Sequence, residues 1–172
     1  EDLLTLQGLN LLTSHPVLYV CNVIESEAAS GNAHTKAVEK MAAEQGAGCV
    51  TISANIEAEV AHLPDEDAKE FLKDLGLEEP GLDKLIHEGY KLLGLITYFT
   101  VGPKETRAWT VYKGAKAPQA AGVIHTDFER GFIRAQTIAY SDFVSLGGEV
   151  AAKEAGKARD EGKEYVVQDG DI

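Results

Sequence analysis

The stretch Pro16-Val17-Leu18-Tyr19-Val20-Cys21-Asn22-Val23-Ile24-Glu25 decides how the rest of the chain is read. Every residue from Val17 to Cys21 is apolar or aromatic, and Val and Tyr favour the pleated backbone. Pro16 has no N–H to give to a ladder, so it marks the start of a strand. The segment predicts a short buried strand that runs straight into a polar loop. Ligands of open α/β sheets bind outside the carboxyl ends of strands, which is where Asn22 and Glu25 fall. Asn and Glu also fill ordinary turns, so spacing alone leaves both a capping loop and a ligand site open.

Reading outward, Ser26 to Asn32 is a polar loop, and Asn32 is placed to cap a helix over Ala33–Gln45 with Val38, Met41 and Ala42 on its apolar face. Gly46 and Gly48 end it. Cys49-Val50-Thr51-Ile52 then reads as a second short strand, closing at Ser53-Ala54. Strand, helix and strand in this order form a βαβ unit, for which a parallel, right-handed arrangement is expected. Upstream, the leucines at 3, 4, 6, 9, 11 and 12 suggest a helix packed into a core, broken before Pro16. Downstream, helices are expected over 55–62, from Asp65 as a cap to Gly76, and after Pro80.

The texture changes at Gly94. Residues 95–100 and 107–112 are aromatic and β-branched, separated by Val101-Gly102-Pro103-Lys104-Glu105, and read as a hairpin. A helix over 118–124, strands over 132–138 and 165–168, a helix over 150–161 and a final turn at Asp169-Gly170-Asp171-Ile172 complete an α+β module. The expected domains are therefore 1–93 and 94–172.

Composition bounds the function classes. The chain has 172 residues, 44% hydrophobic and 26% charged, as in globular proteins, and no apolar run approaches the roughly 20 residues of a membrane span. Its start lacks a secretory basic region, so a cytoplasmic address is expected. Cys21 and Cys49 both fall in buried strands, as small hydrophobes rather than a bridge. The net charge of −12 argues against a non-specific nucleic-acid binder, and no DNA partner is expected. The acidity is uneven, however: residues 1–93 hold 17 acidic and 6 basic side chains, residues 94–172 hold 11 and 10. The second half can thus carry a local basic face, from Arg107, Arg130, Arg134, Lys153, Lys157, Arg159 and Lys163, with Trp109, Tyr112 and Phe128 for stacking. A mixed solvated surface with core aromatics is the other reading of those residues.

Guanine-nucleotide proteins hold their base with an Asn-Lys-x-Asp loop and a Ser-Ala loop at neighbouring strand ends. Asn22-Val23-Ile24-Glu25 and Ser53-Ala54 resemble that pair, with Val for Lys and Glu for Asp. An Asp at the last position accepts from the guanine N1–H and N2–H₂. Adenine instead presents N6–H₂ beside ring acceptors, which suits an amide such as Asn22. Val23 offers apolar surface at the ring, Glu25 is one methylene longer and braces the loop, and the site should prefer adenine.

Further tracts extend the resemblance. Ile52–Glu59, Gly89–Thr100, Arg107–Thr110, Ala117–Ala121, His125–Arg134 and Glu161–Asp171, with Pro16–Glu25, resemble the Obg-like ATPases of the YchF type over essentially the whole chain. The resemblance implies the C-terminal βαβ part of a P-loop (Rossmann-like) G domain, followed by a TGS domain of ubiquitin-like β-grasp fold. It implies a parent that hydrolyses ATP with Mg²⁺, selects adenine through an Asn-x-x-Glu loop, and associates with the ribosome or ribosomal RNA. It also implies a closing strand beyond Ile172.

The chain departs from that family in one respect that matters. It has no Gly-x-x-x-x-Gly-Lys-Ser/Thr phosphate loop, and Gly156-Lys157-Ala158 lacks both the earlier Gly and the hydroxyl. The expectation is a fragment without catalytic residues or metal ligands, inactive by itself, whose nucleotide-binding residues are Asn22, Val23, Glu25, Ser53 and Ala54. Arg107, Arg130 and Arg134 are its candidate RNA contacts. The alternative is an RNA- or ribosome-binding regulatory β-grasp module without catalytic activity of its own. His125-Thr126-Asp127 offers two potential ligands without a third and is expected to be a turn.

Overall fold

The computed structural model describes residues 8–172. The chain divides into two compact units, Glu1–Leu93 and Gly94–Ile172. Among the described residues no helix is long and apolar enough to cross a membrane.

In the first unit, strand β1 (Leu18–Asn22) pairs in parallel with β2 (Gly48–Ile52), from Leu18 opposite Gly48 to Asn22 opposite Ile52. The crossover is helix α1 (Ala33–Gln45). Its ends are written in the sequence. The Asn32 carboxamide oxygen accepts from the N–H groups of His34 and Thr35, and Thr35 Oγ1 accepts from the Asn32 N–H, closing a capping box. Gly46, at φ 66°, ends the helix in the left-handed conformation. Helices α2 (Ala54–Val60), α3 (Asp65–Asp74) and α4 (Gly81–Leu93) follow. Ile56, Leu72 and Ala28 form the core, with Val23, Phe71 and Leu75 packed on it. The start of α4 is tied to α2 because the Glu57 carboxylate accepts from Gly81 N (2.7 Å) and Leu82 N (3.0 Å). A side chain at Gly81 would stand 2.8 Å from both Glu57 Oε1 and Ile52 Cγ2, so this approach requires glycine.

Two details differ from the sequence reading. Leu9, Leu11 and Leu12 are exposed, Leu12 by 87%, beside a single 3₁₀ turn at Leu12–Ser14, rather than buried in a helix. The leucines at 3, 4 and 6 lie outside the described residues. Asp65 is the first residue of α3 rather than its cap, and with Glu66 and Asp67 it places negative charge at the positive end of the helix dipole.

In the second unit, β3 (Leu95–Val101) and β4 (Thr106–Tyr112) form the expected antiparallel hairpin, Tyr98 opposite Trp109. Helix α5 (Ala117–Ile124) packs across it, burying Ala120 against Ile96, Tyr98, Val111 and Val167. Helix α6 (Thr126–Arg130), strand β5 (Ala135–Thr137), helices α7 (Tyr140–Leu146) and α8 (Glu149–Glu154) and strand β6 (Arg159–Glu161) complete it, with β5 antiparallel to β6. The last residues join the two pairs of strands. Gly170 N donates to Thr97 O, Phe99 N to Asp171 O, and Ile138 and Ile172 exchange both backbone bonds at 2.8 Å. The buried Asp171 carboxylate holds this turn, accepting from Tyr165 Oη (2.7 Å) and Gln168 N (2.9 Å), with Arg159 3.7 Å away.

Here the sequence reading needs correction in several places. The helix expected over 150–161 stops at Glu154, because Gly156 turns left-handed at φ 70° and Arg159–Glu161 then pairs with β5. The strand expected over 132–138 is regular only over Ala135–Thr137, and 165–168 contributes a single bridge, Val166 to Lys116. The turn expected at His125–Asp127 is the start of α6, where His125 Nδ1 accepts from Asp127 N. Helix α7 has no counterpart in the sequence reading.

Tyr98 generates a pH prediction. It is 7% exposed, donates to Ala120 O at 2.7 Å, and burial pushes its phenol up to about 12 from an ordinary 10. The unfolded phenol ionises first, so the folded state's advantage is complete below about pH 10 and is lost as pH rises through about 12. Urea melts followed by the fluorescence of Trp109, the chain's one tryptophan, should lose stability across that window. In Tyr98→Phe this part of the slope should disappear.

Candidate functional site

The parallel ladder delivers two loops to one place. Asn22 is the last residue of β1 and stands opposite Ile52, the last of β2, with Val23 N bonded to Ile52 O at 2.9 Å. Directly beyond, Asn22 Oδ1 accepts from Ala54 N at 3.0 Å. One side chain therefore links the loop after β1 to the loop after β2. Among the described residues the carboxamide NH₂ of the exposed Asn22 has no hydrogen-bond partner, and Ala54 is exposed beside it. The arrangement can present an amide donor and a free carbonyl lone pair to a planar ligand with alternating acceptors and donors.

The other expected site residues are placed differently from one another. Ser53 is 2% exposed and so faces inward, its Oγ has no hydrogen-bond partner among the described residues, and a small cavity of about 10 Å³ lies against it and Thr51. Val23 turns its side chain into the core cluster of Ala28, Ile56 and Leu72. The apolar side chain on the loop's outer surface is Ile24, 62% exposed, which the sequence reading did not single out. Glu25 opens a 3₁₀ turn, Glu25–Glu27, and is exposed; its carbonyl accepts from Ala28 N. The side chain that braces the loop is Glu27, whose Oε2 accepts from Asn32 Nδ2 at 2.7 Å, so the cap of α1 and the site loop share one residue. No sequence pattern distinguishes Glu27 from Glu25 for this role.

On the second unit, Arg107 lies over the Trp109 ring, 4.1 Å from its centroid, and 3.9 Å from Glu105. Trp109 is half-buried against the core and donates to Thr100 Oγ1, so its ring is not a free platform. Arg134 pairs with Asp160, Lys153 with Glu149, Lys157 with Asp142 and Arg159 with Glu161. Arg130, at the end of α6, is exposed and makes no ion pair among the described residues, two positions after the exposed Phe128. Among the described residues no group of three or more His, Cys, Asp or Glu could hold a metal ion.

A strand–helix–strand unit with linked strand-end loops, followed by a small mixed unit, makes this a mixed α/β protein with its candidate site at the carboxyl ends of two parallel strands. The comparisons with known proteins bear on the fold and the family. The YchF-GTPase_C family model, described as a protein of unknown function, matches residues 95–172. The chain is 55% identical over 172 residues to the ribosome-binding ATPase YchF of Haemophilus ducreyi, covering 100% of this chain and 47% of that protein. It is 57% identical over 166 residues to the Bacillus subtilis protein of the same name, covering 95% of this chain and 45% of the relative. The structure of the Schizosaccharomyces pombe YchF GTPase superposes with a TM-score of 0.80 at 40% identity, covering 97% of this chain and 45% of that one. The chain belongs to the YchF family and represents its C-terminal half. It spans about half the length of the curated relatives it matches.

The link between the loops can be tested without any ligand. Asn22→Ala removes the acceptor for Ala54 N–H, whose exchange with solvent, measured by NMR, should accelerate by on the order of 10-fold. Asn22→Asp keeps the acceptor and removes only the NH₂, and should leave that exchange slow.

Proposed function

We propose that the first unit is the base-recognising part of a P-loop G domain and that its parent binds and hydrolyses ATP. The observation that carries this reading is the Asn22–Ala54 bond. It orients the carboxamide so that its NH₂ and the second lone pair of its oxygen face outward together. Adenine offers the matching pair, an N7 acceptor beside an N6–H₂ donor; guanine offers two acceptors, N7 and O6, and the second would oppose Asn22 Oδ1. Ala54 and the main chain at Ser53 and Val23 lie against the base in this reading, Ile24 covers an apolar side, and Glu27 holds the loop's shape. The names of the relatives support nucleotide hydrolysis, as ATPase for the bacterial proteins and GTPase for the fission-yeast one.

The triphosphate and its Mg²⁺ are held, in this reading, by the remainder of the parent, because this chain has no phosphate loop. The chain alone is then inactive. The second unit is a TGS domain of β-grasp fold: a hairpin crossed by a helix, with the last residues lying beside β3, supports that assignment.

The second reading, an RNA- or ribosome-contacting module, is favoured by one observation, the exposed Arg130, which makes no ion pair among the described residues and follows the exposed Phe128 by two positions. The relatives' printed name, ribosome-binding, supports it as well. Arg107 and Arg134 flank the same role from β4 and from the approach to β5. A ribosomal partner would make the cytoplasm the working compartment.

The two roles separate by mutation in the intact parent. Asn22→Asp keeps the loop bond but loses the NH₂, and should weaken ATP about 10- to 100-fold while nucleotide-free ribosome binding stays unchanged. Arg130→Glu should weaken ribosome binding and flatten its salt dependence, with ATP affinity intact. Unchanged ATP affinity in Asn22→Asp would refute the base-site assignment.

A further inference from the structure

Cys21 on β1 and Cys49 on β2 are free, half-buried thiols whose sulfurs lie 4.0 Å apart. The register explains the contact. Cys49 stands opposite Tyr19 and Cys21 opposite Thr51, so the two side chains share one face of the ladder and reach toward each other diagonally. Neither cysteine has a part in the base site, yet Cys21 is the residue immediately before Asn22.

We propose that Cys21 and Cys49 form a modification site, a dithiol that hydrogen peroxide closes to an intramolecular disulfide, and that closure withdraws Asn22 from Ala54. Disulfide sulfurs are about 2.05 Å apart, so roughly half of the present gap must be taken up. Side-chain rotation supplies part of this and the backbone the rest, because the pair is diagonal rather than directly opposed. Cys21 lies further along β1 than Tyr19, the residue facing Cys49. Drawing Cys21 toward Cys49 therefore slides β1 back toward its own start relative to β2. Asn22 moves with it, while Ala54 stays at the start of α2, beyond the end of β2. The 3.0 Å bond between them lengthens.

The chemistry is complete with peroxide as the oxidant. Burial, and then its contact with Cys21, pushes the Cys49 thiol up to about 11. The Cys21 thiolate attacks one peroxide oxygen, the O–O bond breaks, and the departing hydroxide is protonated to water. Cys21 is then a sulfenic acid. The Cys49 sulfur displaces hydroxide from the Cys21 sulfur, and its own proton leaves with that hydroxide as the second water. Two thiols are oxidised to one disulfide while one peroxide is reduced to two waters.

The test uses the full chain and needs no nucleotide, so its outcome is independent of the base-site reading. After peroxide treatment and alkylation, mass spectrometry should find both cysteines protected in a monomer, with a dithiothreitol-reversible link between the peptides carrying Cys21 and Cys49. Cys49→Ser should instead accumulate a sulfenic acid at Cys21 that dimedone traps. By NMR, Ala54 amide exchange should rise by on the order of 10-fold in the disulfide form, and stay unchanged in peroxide-treated Cys49→Ser. Thiols that remain alkylatable, cross-linked dimers, or over-oxidation without a bridge would overturn the proposal. So would a bridge that leaves Ala54 exchange where it was.

Discussion

The parallel pairing of β1 with β2 is the constraint on which the candidate site depends. Five residues on each strand set a register in which Asn22 and Ile52 finish side by side. Because side chains alternate across a strand, a slip of one residue would turn Asn22 to the other face and break its bond to Ala54. The register in turn rests on groups away from the site. Asn32 starts the crossover helix, Gly46 stops it, and Gly81 lets α4 approach Ile52 at the end of β2. The Glu57 carboxylate then fastens α4 to the helix that begins at Ala54.

The candidate loop is tied to the crossover helix. Asn32 Nδ2 donates to the Glu27 carboxylate across the loop, and Asn32 is simultaneously the cap of α1. A capping residue and the candidate loop are thus one hydrogen-bonded system. In the second unit Asp171 plays the comparable organising role, since its carboxylate gathers Tyr165, Gln168 and Arg159 while its carbonyl serves β3.

What was legible in the sequence follows local rules. The bounds of α1 came from Asn32 and Gly46, the hairpin from alternation around Val101–Glu105, and the parallel unit from strand–helix–strand order. The misreadings fall where distant partners override local pattern. Lys157-Ala158-Arg159-Asp160-Glu161 has ordinary helix formers, yet Arg159–Glu161 pairs with β5 because that edge is available to it. Leu9, Leu11 and Leu12 read as core by composition and are exposed. Val23 and Ile24 are equally apolar neighbours in sequence, and only packing against Ile56 and Leu72 decides that Val23 goes in and Ile24 stays out.

The sequence by itself determined that Asn22 and Ala54 follow two strands joined by a helix, and that no phosphate loop accompanies them, because strand periodicity, caps and motif spacing are local properties of the chain. Only the tertiary structure decided that Asn22 Oδ1 would spend one lone pair on Ala54 N, that Glu27 rather than Glu25 would brace the loop, and that Cys21 would face Cys49. Those outcomes depend on the register of two strands and the packing of their side chains, which are set by contacts some 30 residues apart and by no pattern within either segment.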